Sequence, residues 1–267
     1  GIDVMSMSFG SVSSGGDDPG DNGSNAEARA VDAAADAGIV PVAAIGNDGY
    51  RRVTSVGATD SAITVGAIED KDTINKDDDS IASYSNSGPR EDDGDDDDQD
   101  ELKPDVVAPG SDIMSSRHAE STSPIPGTPK ALAEDSYVEK SGTSMACPAV
   151  AGFVAVLLNA AEEEGENLDP DEVKQLLHDF SDSRGSASQP SASDTWNDKY
   201  GFGIIDGTMA LSGLIDGTVG GGGGNNSTGP PPPVGDGEWL EIHRPIANLW
   251  LVEDETYTVK GNISEQG

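Results

Sequence analysis

Ser144 stands in the stretch Gly142-Thr143-Ser144-Met145-Ala146-Cys147-Pro148-Ala149-Val150-Ala151-Gly152, and the residues that follow it are almost wholly apolar as far as Leu158. A hydroxyl at the mouth of an apolar helix is placed for nucleophilic chemistry. The first N–H groups of a helix have no intrahelical partners, and together with the positive end of the dipole they face whatever the hydroxyl attacks. Gly142 allows a tight turn before the helix, and Pro148 is expected in its first turn, where a missing N–H costs little. Val150, Ala151, Phe153, Val154, Val156, Leu157 and Leu158 leave no polar face, so the helix is expected to be buried. Thr143-Ser144 read alone is a helix N-cap rather than a nucleophile, since both residue types are favoured there. Cys147 is the single cysteine, which excludes an intramolecular disulfide, and its apolar setting makes it a packing residue.

A second chemically loaded stretch is Ala43-Ala44-Ile45-Gly46-Asn47-Asp48-Gly49, which closes an apolar run and by composition is only a good turn. The full strings carry more. GTSMACPAVAG resembles the nucleophile motif of the subtilases, the subtilisin-like serine proteases, at every position except Ala149. The family usually has a His there, beside the site and not as its base. Ala43 to Asn47 resembles the family's AAAGN segment, and Lys103 to Gly110 its KPDVVAPG segment. Ser83 to Pro89 resembles its Ser-Asn-x-Gly turn. Tyr200-Gly201-Phe202-Gly203 is similar to the strand that leads into the last helix of the family's domain. The motifs occur in family order over residues 1–215.

The resemblance implies a serine endopeptidase that acts on polypeptides through an acyl-enzyme on Ser144. The Ser144 backbone N–H and the Asn47 side-chain amide would form the oxyanion hole. It also implies that Ser8-Phe9-Gly10 runs antiparallel to the bound peptide as one wall of the primary specificity pocket. Ala44-Ile45-Gly46 would be the other wall, with Ile45, where the family often has Ala, altering which side chain fits. In subtilases the triad Asp and His precede the strand that opens this sequence. None of His118, His178 and His243 sits in the family's His-Gly-Thr-His setting, and His178 is expected on the solvent side of a helix. No base and no triad carboxylate is therefore assigned, and the chain is expected to be a fragment that is inactive alone. The type implied is a halolysin-like secreted, extracellular protease. The alternative is a non-catalytic subtilase-like surface protein that binds polypeptide or cell envelope. Asp-Ser/Thr-Gly and His-Gly-Thr-His segments upstream would decide between the two.

The elements that must position these residues read as α/β: a subtilisin-like parallel sheet, incomplete, with helices on both faces. Ile2 to Met7 is expected to be a central strand covered on both sides, Asn25 to Ala37 a helix, and Ile39 to Ile45 and Ala62 to Ile68 two more buried strands. Strand, helix and strand in succession form the unit of a right-handed parallel crossover. Ser111 to Ser141 reads as a polar, Pro-rich surface loop. Asp169 to Phe180 is expected as an amphipathic helix opened by Asp169-Pro170, and Gly207 to Leu214 as a last helix. Residues 1–215 would thus be the C-terminal part of a catalytic domain, and residues 216–237 a Gly/Pro-rich linker with two Asn-x-Ser/Thr sequons at Asn225 and Asn226. Residues 238–267 would begin an Ig-like β-sandwich tail.

Composition bounds the partners. Fifty acidic against 15 basic residues give a formal charge of −35, which argues against nucleic acid or an anionic membrane. Such self-repulsion is tolerable where salt shortens the Debye length to ~3 Å at 1 M, so a halophilic source is inferred. No apolar run is expected to reach the ~20 residues needed to cross a bilayer. Glu91 to Glu101 holds nine carboxylates in eleven residues and reads as a solvated loop. Calcium is the alternative there, but the alternating Asp/Asn spacing and fixed Gly of a known calcium loop are missing, so no metal ligand is assigned. A merely acidic, calcium- or salt-binding secreted protein would explain the charge and none of the motifs.

Overall fold

A computed structural model describes residues 1–12, 21–73, 75–95, 97–116, 137–188 and 193–215. His118, His243, the expected linker at residues 216–237 and the expected sandwich-like tail at residues 238–267 lie outside the described residues.

The sheet is built from strands β1 (Val4–Met7), β2 (Val40–Ala44), β3 (Ile63–Glu69), β4 (Ser80–Ile81) and β5 (Val106–Pro109). β1, β2 and β3 are parallel neighbours in that order, β5 pairs β3 in parallel, and the short β4 runs antiparallel to the end of β3. Pro41 is accommodated inside β2 because the Val40 N–H bonds toward β1, while pairing with β3 begins only at Val42. β6 (Ile113–Ser116) and β7 (Tyr137–Lys140) form a separate antiparallel pair. The ends of the expected 111–141 loop are therefore a strand pair, in which Ile113 pairs with Lys140 and Ser116 with Tyr137.

Helices lie on both faces. α1 (Ala26–Asp36) is capped by Asn25, whose side chain accepts from the Ala28 N–H, and its Val31 packs with Met7, Ala43, Val56 and Ala62. On the other face α2 (Thr143–Glu164) packs across β1, β2, β3 and β5, with α3 (Pro170–Asp179) and α4 (Gly207–Ile215) beside it. β2 shows the division: Val40, Val42 and Ala44 join the α2 core, and Ala43 joins the α1 core. α3 starts on a capping box between Asp169 and Glu172, with Pro170 in its first turn.

Two expectations about burial change. Among the described residues β1 pairs only β2 and is half-buried, with Ile2 70% exposed. Among the described residues α2 is covered on one face. Ala146, Cys147, Val150, Val154 and Leu157 are buried, whereas Pro148, Ala149, Gly152 and Ala155 are exposed. At 22 residues α2 is also long and apolar enough to span a bilayer, contrary to the expectation, but its buried face belongs to the protein core.

Candidate active site

The carboxyl ends of β1 and β2 and the amino end of α2 converge on one cleft, the usual ligand position in an open parallel sheet. Its volume is about 270 Å³, and Ser8, Phe9, Gly10, Ala44, Gly46, Asn47 and Ser144 line it together with Val12, Asp48, Thr54 and Thr143. Gly10 lets the β1 extension lie directly on Thr54, since a Cβ there would come within 2.7 Å of the Thr54 Cβ. Thr54 is held in turn by donating to the Ala44 C=O at 2.8 Å, so it ties together the two segments that flank the cleft.

Ile45 does not line the cleft. Its side chain is fully buried and packs with Val53 and Ala58, because alternation along β2 turns it to the side opposite the opening. Its bulk therefore fills the core beside Val53 and Ala58 and not the cleft, contrary to the expectation that it alters which side chain fits. Ala44 and Gly46 remain on the cleft wall.

Ser144 is the second residue of α2 and half-buried. Its hydroxyl donates to the Ser8 C=O at 3.4 Å, and the Ser8 hydroxyl donates to the Ser144 C=O at 3.0 Å. The second bond has a cause in the sequence. Pro148 is the sixth residue of α2, past the expected first turn, and it lacks the N–H that would reach back to the Ser144 carbonyl. Ser8 supplies the missing donor from the neighbouring segment.

Gly142, the N-cap of α2, has no side chain, and Asn47 does the capping from the end of β2. Its Oδ1 accepts from the Thr143 N–H at 2.8 Å and from the Thr143 hydroxyl at 2.9 Å, and the Thr143 hydroxyl accepts from the Gly46 N–H at 3.3 Å. With Oδ1 committed to two donors, the amide orientation is fixed. Neither the Asn47 Nδ2 nor the Ser144 N–H has an acceptor among the described residues, and both residues line the cleft. Two donors beside a hydroxyl at a positive helix end suit a carbonyl oxygen that gains charge when attacked. Cys147 lies beneath, within 3.7 Å of the Ser6 hydroxyl, and burial pushes its thiol pKa up, so it packs rather than reacts.

His178 is not on a solvent face. Its Nε2 lies 2.8 Å from Asp105 Oδ1 and its ring stacks on Phe202 at 3.8 Å. Burial lowers its pKa, against the pull of Asp105. Asp105 also meets Lys103 at 3.2 Å, Lys174 at 3.5 Å and the Thr64 N–H at 2.7 Å. Burial alone would raise its pKa, but Lys103, Lys174 and His178 hold the carboxyl well below the usual range. Asp105 precedes β5, at the end of the parallel strands opposite the cleft, so the pair cannot serve Ser144 as base and orienting carboxylate.

The acidic block is less loose than expected. Arg90 is buried, and its NH2 group lies 3.0 Å from Asp60, 3.4 Å from Asp93, 2.5 Å from Asp100 and 4.0 Å from Glu101. Carboxylate oxygens of Asp60, Asp93 and Asp100 come close enough to share a metal ion, as do those of Asp92, Asp93 and Glu101. In the first group the guanidinium already occupies the focus of the three charges.

Thr54, Thr143, Asp48 and Val12 are site residues that the motif reading left without a role. Thr143 lay inside the nucleophile string, whereas Thr54 and Val12 carried no signal at all.

A sequence model described as the subtilase family matches residues 1–203. The chain is 35% identical over 219 residues to the serine protease AprX of Bacillus subtilis, covering 79% of this chain and 43% of that protein. It is 29% identical over 175 residues to the halolysin-like extracellular serine protease Nep of Natrialba magadii, covering 66% of this chain and 24% of that protein. Among solved structures, the prenylagaramide maturation protease PagA matches with a TM-score of 0.55 at 23% identity, over 80% of this chain and 62% of that one, which bears on the fold. The chain thus spans less than half the length of these two sequence relatives.

Proposed function

Because the chain belongs to the subtilase family, we propose that it is the Ser-bearing part of a secreted, salt-adapted endopeptidase. Ser144 Oγ attacks the substrate carbonyl to give an acyl-enzyme. The Ser144 N–H and Asn47 Nδ2 hold the oxyanion, and the segments Ser8-Phe9-Gly10 and Ala44-Gly46 seat the peptide. The triad Asp and His would come from sequence preceding Gly1, as in the family's chain order. Water then releases the acyl group with the same His returning the proton, so a peptide bond is exchanged for a carboxylate and an amine. The observation that carries this reading is the Asn47 amide, pinned through Oδ1 to Thr143 so that its donor end is left beside Ser144. Family membership supports polypeptide substrates. Extracellular action is supported by the name of the Natrialba relative.

The test separates an enzyme from a module that only binds polypeptide. With the upstream sequence restored, Asn47→Ala should lower kcat by about 10²–10³ with KM little changed, the range for losing one oxyanion donor in subtilisin, itself of this family. Asn47→Asp keeps the acceptor for Thr143 and removes the donor, so it should fold normally and lose comparable kcat. Steady-state kinetics on a chromogenic peptide in high salt is the measurement. A kcat within about twofold of the unmodified protein would reduce Asn47 to a turn residue and cap.

A further inference from the structure

Asn86 is fully buried in the Ser83–Pro89 turn, which none of the chemistry above uses. It grips the backbone on both sides of Asn47. Its own N–H donates to the Gly46 C=O at 3.0 Å. Its side-chain Oδ1 accepts from the Asp48 N–H at 2.8 Å and from the Tyr50 N–H at 3.4 Å. Its Nδ2 donates to the Ile45 C=O at 3.5 Å. The peptide groups just before and just after Asn47 are thus both held by one residue.

Gly46 makes the approach feasible. Its φ is +119°, and a Cβ there would lie 2.3 Å from the Asn86 Nδ2. The stitching continues outward, with the Gly49 N–H donating to Tyr84 C=O at 2.9 Å and the Ser87 N–H to Tyr50 C=O at 3.0 Å. Asn47 itself is exposed, so no packing on its solvent side fixes it. Its placement comes from Thr143 at the side chain and from Asn86 at the backbone.

We propose that Asn86 is a positioning residue for the reaction, one that acts only through Asn47 by fixing where the oxyanion donor stands. The proposal rests on the endopeptidase reading above. A hydrogen-bond donor lowers a barrier only if it is already aimed at the developing charge, and a misplacement of about 1 Å can cost about 10²-fold in rate.

The experiment is a double-mutant cycle in the protein with its upstream sequence restored, read as kcat and KM on a chromogenic peptide. Asn86→Ala should lower kcat by about 10- to 100-fold and leave KM within about threefold. In the Asn47→Ala background the same substitution should change kcat by less than about twofold, because the donor it positions is gone. Asn86→Asp keeps the acceptor for the Asp48 and Tyr50 N–H groups but loses the donor to the Ile45 C=O and buries a charge, so its kcat should fall between those of Asn86→Ala and the unmodified protein. Equal losses from Asn86→Ala in both backgrounds would mean general damage and overturn the proposal, as would an unchanged kcat. If Asn86→Ala does not fold, Asn86→Asp decides: a loss beyond about tenfold that persists in the Asn47→Ala background overturns it. An unmodified protein that hydrolyses nothing overturns the endopeptidase reading and this proposal with it, whereas hydrolysis with additive losses overturns this proposal alone.

Discussion

Glu101 shows how a residue inside an acidic run can depart from its neighbours. Nine carboxylates in eleven residues read as solvent-facing charge, yet Glu101 is buried near Arg90. Burial first, and the adjacent Asp100 charge second, raise its pKa to about 7, while Arg90 opposes the shift. Between its ordinary value near 4.5 and about 7, the folded chain keeps a proton that the unfolded chain releases, so this group costs stability as pH rises. Glu101→Gln mimics the protonated form. It should leave Tm unchanged at pH 4 and raise it at pH 8 by roughly 2–4 °C, about 1 kcal/mol for a domain of this size with partly screened neighbours. Thermal unfolding at both pH values is the check, and an equal shift at both would assign the effect to packing. Single residues were legible in their placement where a motif named them, since Ser144 and Asn47 line the same cleft. They were not where a distant partner sets the environment: His178 reads as solvent-side until Asp105 and Phe202, far off in sequence, close around it.

Elements followed the sequence wherever local chemistry fixes their ends. Asn25 caps α1, and Asp169-Pro170 with Glu172 opens α3, both within a residue or so of where the capping pattern places them. Apolar runs located β2 and β3 equally well, since a strand between two packed layers needs no polar face. Coverage was the part not written in the runs. The apolar string after Ser144 says that α2 can be buried on any side, but only contacts with β1, β2, β3 and β5 decide which side is. β1 has the same ambiguity, because its residues suit a central strand and the described sheet gives it one neighbour. The β6–β7 pair was hidden because four-residue strands at the ends of a polar stretch carry too little periodicity to read.

For the whole molecule, a formal charge of −35 dominates the electrostatics, and among the described residues Arg90 and Lys103 are buried against carboxylates. Salt should therefore stabilise the folded state. Tm should rise steadily between 0.1 M and molar NaCl or KCl as the Debye length falls from about 10 Å to about 3 Å. A midpoint independent of salt would remove the halophilic reading. The chemistry itself depends on an arrangement no single element holds: a hydroxyl from α2, an amide from the end of β2 and a carbonyl from the end of β1 meet at one cleft. What Ser144 lacks among the described residues is a base within reach, and that sets the most direct measurement. A fluorophosphonate probe, with the adduct mapped by mass spectrometry, should label Ser144 stoichiometrically in the protein with its upstream sequence restored. It should label nothing after Ser144→Ala, and nothing in residues 1–267 alone. A restored protein that cleaves peptides with Ser144 unlabelled, or an adduct on Ser144 in the isolated chain, would contradict the assignment of Ser144 as a nucleophile activated from upstream.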